Sequence, residues 1–214
     1  MGTNRLPAAK RRQQLAYVAI ETFARKGFDA TSMDEIAEAA GVTKPVLYQH
    51  FKSKRALFLE LLDYVGGELL EAIAKATATA AGPRQQVECG FSAYFRFVDQ
   101  HASAFRMMFA SGAQGDSEFA AEVRRVESTI AHAVASMIDA DIDPAHREVL
   151  GRAVVGLAEG TSRYWLGLMS SGPEETAAEA LPVGDDGAWM KDPEQLARRI
   201  ADLAWAGLRA VHRD

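Results

Sequence analysis

A single cysteine, Cys89, among 214 residues excludes an internal disulfide and any zinc site built from several thiolates. Its natural role is that of a small apolar side chain in a core. The five histidines, His50, His101, His132, His146 and His212, show no i, i+4 pairing, so no metal centre is expected. No apolar run reaches the roughly 18 residues that span a bilayer. The opening segment, MGTNRLPAAKRRQQ, lacks the apolar stretch of a signal peptide, and a cytoplasmic chain without membrane attachment is expected. Also missing are a glycine-rich phosphate loop after a strand, a G-x-S-x-G elbow and an H-E-x-x-H pair. Neither an enzyme nor a bound cofactor is therefore expected.

What is present is a chain of 48% hydrophobic and 25% charged residues, enough for one large or two small domains. Its net charge of −5 is unevenly divided. Residues 1–55 hold 10 of the 24 basic and 5 of the 29 acidic side chains, a net of +5, leaving 14 basic against 24 acidic, a net of −10. A basic end on an acidic body suits a protein of which only one end meets phosphates; a merely uneven solvated surface is the alternative.

The basic end contains the stretch TSMDEIAEAAGVTKPVLYQHFKSK, residues 31–54. Ser32 and Glu35 have the S-x-x-E spacing of a capping box, which predicts a helix from Met33. Met33, Ile36, Ala37 and Ala40 fall on one face of it, and Gly41 is placed to end it in the left-handed conformation. Thr43 is a suitable N-cap for a second helix, with Pro45 in its first turn, where a missing N–H costs nothing. Two short helices joined in this way form a helix-turn-helix, whose second helix lies in the major groove. Val46, Leu47 and Phe51 can face the first helix, leaving Lys44, Tyr48, Gln49 and His50 outward. Upstream, Leu15, Val18, Ala19 and Phe23 predict a supporting helix that stops at Gly27, entered through a basic arm of Arg5, Lys10, Arg11 and Arg12.

These residues resemble the DNA-binding segment of the TetR family of bacterial transcriptional regulators. The likeness lies in Gly27-Phe28, Thr31, Ile36-Ala37, Ala40-Gly41-Val42 and Tyr48-Gln49-His50-Phe51 followed by Lys54. It implies an operator of double-stranded DNA. Thr43, Tyr48, His50, Lys52 and Lys54 are then assigned mainly to phosphates, and Lys44 and Gln49 to base edges or nearby phosphates. Pro45 and Val46 are placed to touch thymine methyls. The domains are expected at 1–54, the helix-turn-helix module, and 55–214, a larger helical sensing and dimerisation domain.

Beyond the module, helix signals run from Arg55 to about Ala80, Pro83 to about Gln100, Ser103 to about Ala110, Ser117 to about Ala140, Pro144 to about Ser170 and Pro193 to the end. Sustained strand alternation is missing, so the fold class is all-α with about nine helices; Gly172 to Lys191 is the one long irregular stretch. Phe91, Phe95 and Val98 form one apolar stripe and Phe105, Met108 and Phe109 another, suiting either core or pocket wall. Phe91, Phe95, Phe105, Met108 and Phe109, with Arg163 and Trp165, are the candidate ligand site. The resemblance implies a small apolar effector, and a likeness to actinobacterial regulators of lipid metabolism points to a fatty acyl-coenzyme A. It also implies a homodimer through the last two long helices. Small residues at Gly151, Ala153, Gly156, Gly160 and Gly167 allow close approach on the first of these, and Leu196, Ile200, Leu203, Ala204 and Leu208 stripe the second. The leading function is a ligand-released repressor, and the alternative a helical partner-binding adaptor without an operator.

Overall fold

The computed structural model describes residues 7–109, 115–170 and 189–211, and among these every regular element is helical. In chain order they are α1 (Ala8–Lys26), α2 (Met33–Ala39), α3 (Lys44–His50), α4 (Lys54–Thr77), α5 (Pro83–Gln100), α6 (Ala102–Phe109), α7 (Ser117–Met137), α8 (Pro144–Ser170) and α9 (Pro193–Leu208). The expected all-α class is met. Helices α4 and α7 stop about three residues early because their ends tighten into i→i+3 bonds, Ala80 N–H to Thr77 O at 3.2 Å and Ile138 N–H to Ala135 O at 3.1 Å. Arg5 and most of the expected irregular stretch lie outside the described residues. No described helix is long and apolar enough to cross a membrane.

The chain divides into two compact units. The first holds the described residues up to Val65 together with those between Ser103 and Arg124; the second holds the rest. A boundary was expected after Lys54, but the first unit also takes the start of α4, α6 from Ser103 onward and the start of α7. The cause is a cluster of phenylalanines. Phe119, fully buried, lies 4.6 Å from Phe28 and 4.5 Å from Phe58, and Phe58 stands edge-on to Phe23 at 5.1 Å. Such aromatic pairs contribute about 0.5–1.5 kcal/mol each beyond the area they bury. Arg55 closes the arrangement by pairing with Asp116, at 2.7 Å, and with Glu118, while its guanidinium stacks 4.7 Å above the Phe119 ring.

In the second unit α5 packs along α9. Asp192 caps α9 by accepting the Glu194 N–H at 2.9 Å, and Glu194 is held by Arg96 and Ser92 of α5. The hydrogen bond from the Gln195 side chain and the capped N–H groups hold the Asp192 carboxyl below its usual range. Gly66 of α4 faces α7: a Cβ there would lie 2.9 Å from Val126 Cγ2 and closer still to Cγ1. Gly151 of α8 likewise faces Ala135, whose Cβ would lie 2.9 Å away. These glycines let helix pairs approach more closely than any side chain would permit.

Candidate nucleic-acid interface and cavity

The helix-turn-helix forms from strictly local causes. Ser32 Oγ accepts the Glu35 N–H at 3.2 Å and Glu35 accepts the Ser32 N–H at 2.8 Å, completing the capping box. A bond from Lys26 Nζ, followed by that from the Ser32 N–H, draws the Glu35 carboxyl down from 4.5 to about 2. At the other end Gly41, with φ 65°, turns the chain while Val42 N–H reaches Ala37 O at 2.9 Å and Gly41 N–H reaches Glu38 O at 3.0 Å, a Schellman closure. Thr43 occupies the N-cap of α3, yet its hydroxyl makes no capping bond.

Leu47 and Phe51 are buried and hold α3 in place. Thr43, Lys44, Pro45, Tyr48, Gln49 and Lys52 are exposed, Tyr48 by 44%, whereas Val46 and His50 are half-buried. The structure therefore gathers eight of the nine expected DNA contacts on and beside one short helix. Lys44 Nζ is paired with Asp34 Oδ2 at 2.8 Å, a hydrogen bond that raises the Lys44 pKa. The ninth residue, Lys54, turns inward. Its ammonium donates to the carbonyls of Phe28 and Thr31, both at 2.8 Å, lies 3.4 Å from that of Asp29 and sits over the Phe28 ring. An ammonium has three donors, and each has a carbonyl here.

The second unit contains a cavity of about 410 Å³. This lies within the range of small-molecule sites, about 300–1,000 Å³. Ile73 and Thr77 of α4, Val87, Gly90, Phe91 and Tyr94 of α5, Ile130, Val134 and Met137 of α7, Val154, Val155 and Ala158 of α8, and Trp205 and Leu208 of α9 form its wall. Asp139 and Arg209, both exposed, are its charged lining groups. Tyr94 is held with its hydroxyl 2.9 Å from Ser162 Oγ, and burial pushes its pKa up, keeping the phenol neutral.

Only Phe91 of the seven expected ligand residues lines this cavity. Phe95 is fully buried, 6.3 Å from Trp165, and Trp165 is itself buried with Nε1–H donating to Met190 O at 2.7 Å. Phe105, Met108 and Phe109 lie on α6 in the first unit, and Arg163 pairs with Glu159 one turn earlier on α8. Periodicity marked the phenylalanines and Met108 as apolar but carried no record of where helices fail to meet. A usable signal was Gly90, a missing side chain amid the apolar positions of α5. Among the described residues no cluster of His, Cys, Asp and Glu could hold a metal ion.

Comparison with known proteins places both halves. The profile of bacterial regulatory proteins of the tetR family matches residues 17–61, and that of the tetracyclin repressor-like C-terminal domain matches residues 83–207. The HTH-type transcriptional activator FasR of Mycolicibacterium smegmatis is 36% identical over 165 residues, 76% of this chain and 75% of that protein. A TetR-like regulator from Rhodococcus sp. RHA1 is 26% identical with a TM-score of 0.69, covering 97% of this chain and 100% of its own. The FadR regulator of Bacillus subtilis, solved in complex with stearoyl-CoA, shares the fold with a TM-score of 0.71 at 14% identity, over 91% of this chain and 98% of its own.

Proposed function

Since the chain belongs to the tetR family of bacterial regulatory proteins, we propose that it is a homodimeric repressor whose grip on an operator is released by a long-chain acyl-coenzyme A seated in the cavity. The observation that carries this reading is the division of labour: an exposed, hydrogen-bonding α3 in one unit and an apolar cavity in the other. Lys44 and Gln49 would meet base edges, Thr43, Tyr48, His50 and Lys52 phosphates, and Pro45 and Val46 thymine methyls.

The dimer reading draws support from α8 and α9. Val149 is 62% exposed, Tyr164 47% and Leu203 60%, large apolar groups that a partner would cover. A Cβ at Gly156, Gly160 or Gly167 would meet nothing within 4 Å, so this edge of α8 is open to a second helix. A two-fold dimer would set two α3 helices about 34–36 Å apart, one turn of DNA. For the effector, an acyl chain suits the walls of Val, Ile, Met and Phe, and Arg209 suits the anionic head. The stearoyl-CoA complex of the FadR neighbour points to the same ligand class.

Activation instead of repression is favoured by one observation, the activator designation of the FasR relative. Binding to the DNA upstream of its own gene, measured at two salt concentrations with and without stearoyl-coenzyme A, separates the readings. Salt-sensitive binding weakened by the ligand supports the repressor; binding strengthened by it supports the activator. Absence of sequence-specific binding would sink both and return the chain to the adaptor alternative.

A further inference from the structure

Two cations of the first unit hold main-chain carbonyls at the two ends of the helix-turn-helix. At its entry Lys54, the first residue of α4, fills its ammonium with the carbonyls of Phe28 and Thr31 at 2.8 Å and Asp29 at 3.4 Å. At its exit Arg12 of α1 donates to the carbonyl of His50, the last residue of α3, at 2.5 Å. Arg12 also pairs with Glu60 on α4 and lies 4.5 Å above the Phe51 ring. A carbonyl at a helix C-terminus lacks an intrahelical partner, so a guanidinium there supplies a bond that α3 itself cannot make.

We propose that Lys54 and Arg12 are positioning residues that fix the angle of α3 from α4, and that neither is spent on DNA phosphates. The proposal rests on the reading of α3 as the helix that meets DNA. The surface pair between Arg12 and Glu60 would by itself contribute little, because both side chains are nearly half exposed. Its effect lies in orienting the guanidinium toward His50 O. Both clamps lead to α4: Lys54 opens it, and Glu60 lies on it less than two turns later. Any shift of that end of α4 is passed to the two ends of the motif through hydrogen bonds rather than through loose apolar contact. Lys52, exposed and without a partner among the described residues, is left as the cation of this segment that meets phosphate.

The test uses the full chain as Lys54→Met, Arg12→Gln, Glu60→Gln and Lys52→Ala variants. Hydrogen exchange of peptides covering α2 and α3 should quicken about tenfold in Lys54→Met and Arg12→Gln, the loss of a charge-assisted bond, and by less in Glu60→Gln. Peptides of α5 and α9 should not change, which separates lost positioning from general unfolding. The slope of log affinity against log salt on duplex DNA should hold in Lys54→Met and Arg12→Gln and fall by about 0.9 in Lys52→Ala. Unchanged exchange in α2 and α3, or a slope that falls by that amount in Lys54→Met, would overturn the proposal. Should Lys54→Met fail to fold, Lys54→Gln tests the entry clamp in its place: faster exchange in α2 and α3 with an unchanged salt slope supports the proposal, and a slope lower by about 0.9 overturns it. A wild-type chain that binds no duplex would sink the DNA reading of α3, while the exchange result would still decide the clamp.

Discussion

The two units use their aromatic side chains in opposite ways. In the first, Phe23, Phe28, Phe58 and Phe119 converge with ring centres 4.5–5.9 Å apart and close around one another. In the second, Phe91 and Tyr94 stand at the wall of a cavity of about 410 Å³, while Phe95, one helical turn beyond Phe91, is fully buried. In the first unit the rings fill the space between the helices, whereas in the second the core is left open beside Phe91 and Tyr94. Close packing makes the former intolerant of change and leaves the latter room for a guest.

The largest expected effect is at Phe119. Replacing this buried ring by alanine should cost about 3–5 kcal/mol. Phe91→Ala, whose ring already lacks neighbours on the cavity side, should cost only about 1.5–3 kcal/mol. Urea unfolding of the two variants checks this, and equal losses would erase the contrast. A smaller effect is expected at the paired glycines of α4. Gly66→Ala drives a methyl into Val126 and should destabilise by about 1–3 kcal/mol. Gly67→Ala meets nothing within 4 Å, so the better helix former should stabilise by up to about 1 kcal/mol. Thermal unfolding should therefore shift in opposite directions for neighbouring residues.

The smallest effect concerns pH. Glu35 has a folded pKa near 2 against an ordinary 4.5, so its contribution to stability is complete above pH 4.5 and is lost as the pH falls toward 2. Glu35→Gln should flatten the acid limb of the stability profile of α2 across that window, followed by the amide signals of residues 33–39 in a pH titration. An acid limb identical to wild type would remove Glu35 from the account.

The helix-turn-helix was legible because its determinants are local. A serine three residues before a glutamate, a glycine after the last apolar position and a proline in the first turn act within a few residues of themselves, and each occupies its expected place. Lys54 was read as a phosphate ligand because it stands at a helix start beside the exposed residues of α3. That the turn at Phe28–Thr31 offers it carbonyls depends on a contact 23 to 26 residues away. Phe119 was not grouped with the first unit for the same reason, since its partners precede it by some 60 to 90 residues. The cavity was least legible. Phe91 and Phe95 share one stripe, and only the packing of α4, α7, α8 and α9 leaves space beside the first. Trp205 of α9 also faces that space.

In the proposed function the second unit's cavity seats the effector that governs α3. The most direct test is calorimetric binding of stearoyl-coenzyme A to the full chain and to Val134→Phe, a substitution that projects a ring from α7 into the void. The expected result is one site per chain in the wild type, no measurable binding in Val134→Phe, and unaltered thermal stability and DNA affinity in that variant. Equal binding by a folded Val134→Phe chain would place the ligand elsewhere and contradict the claim.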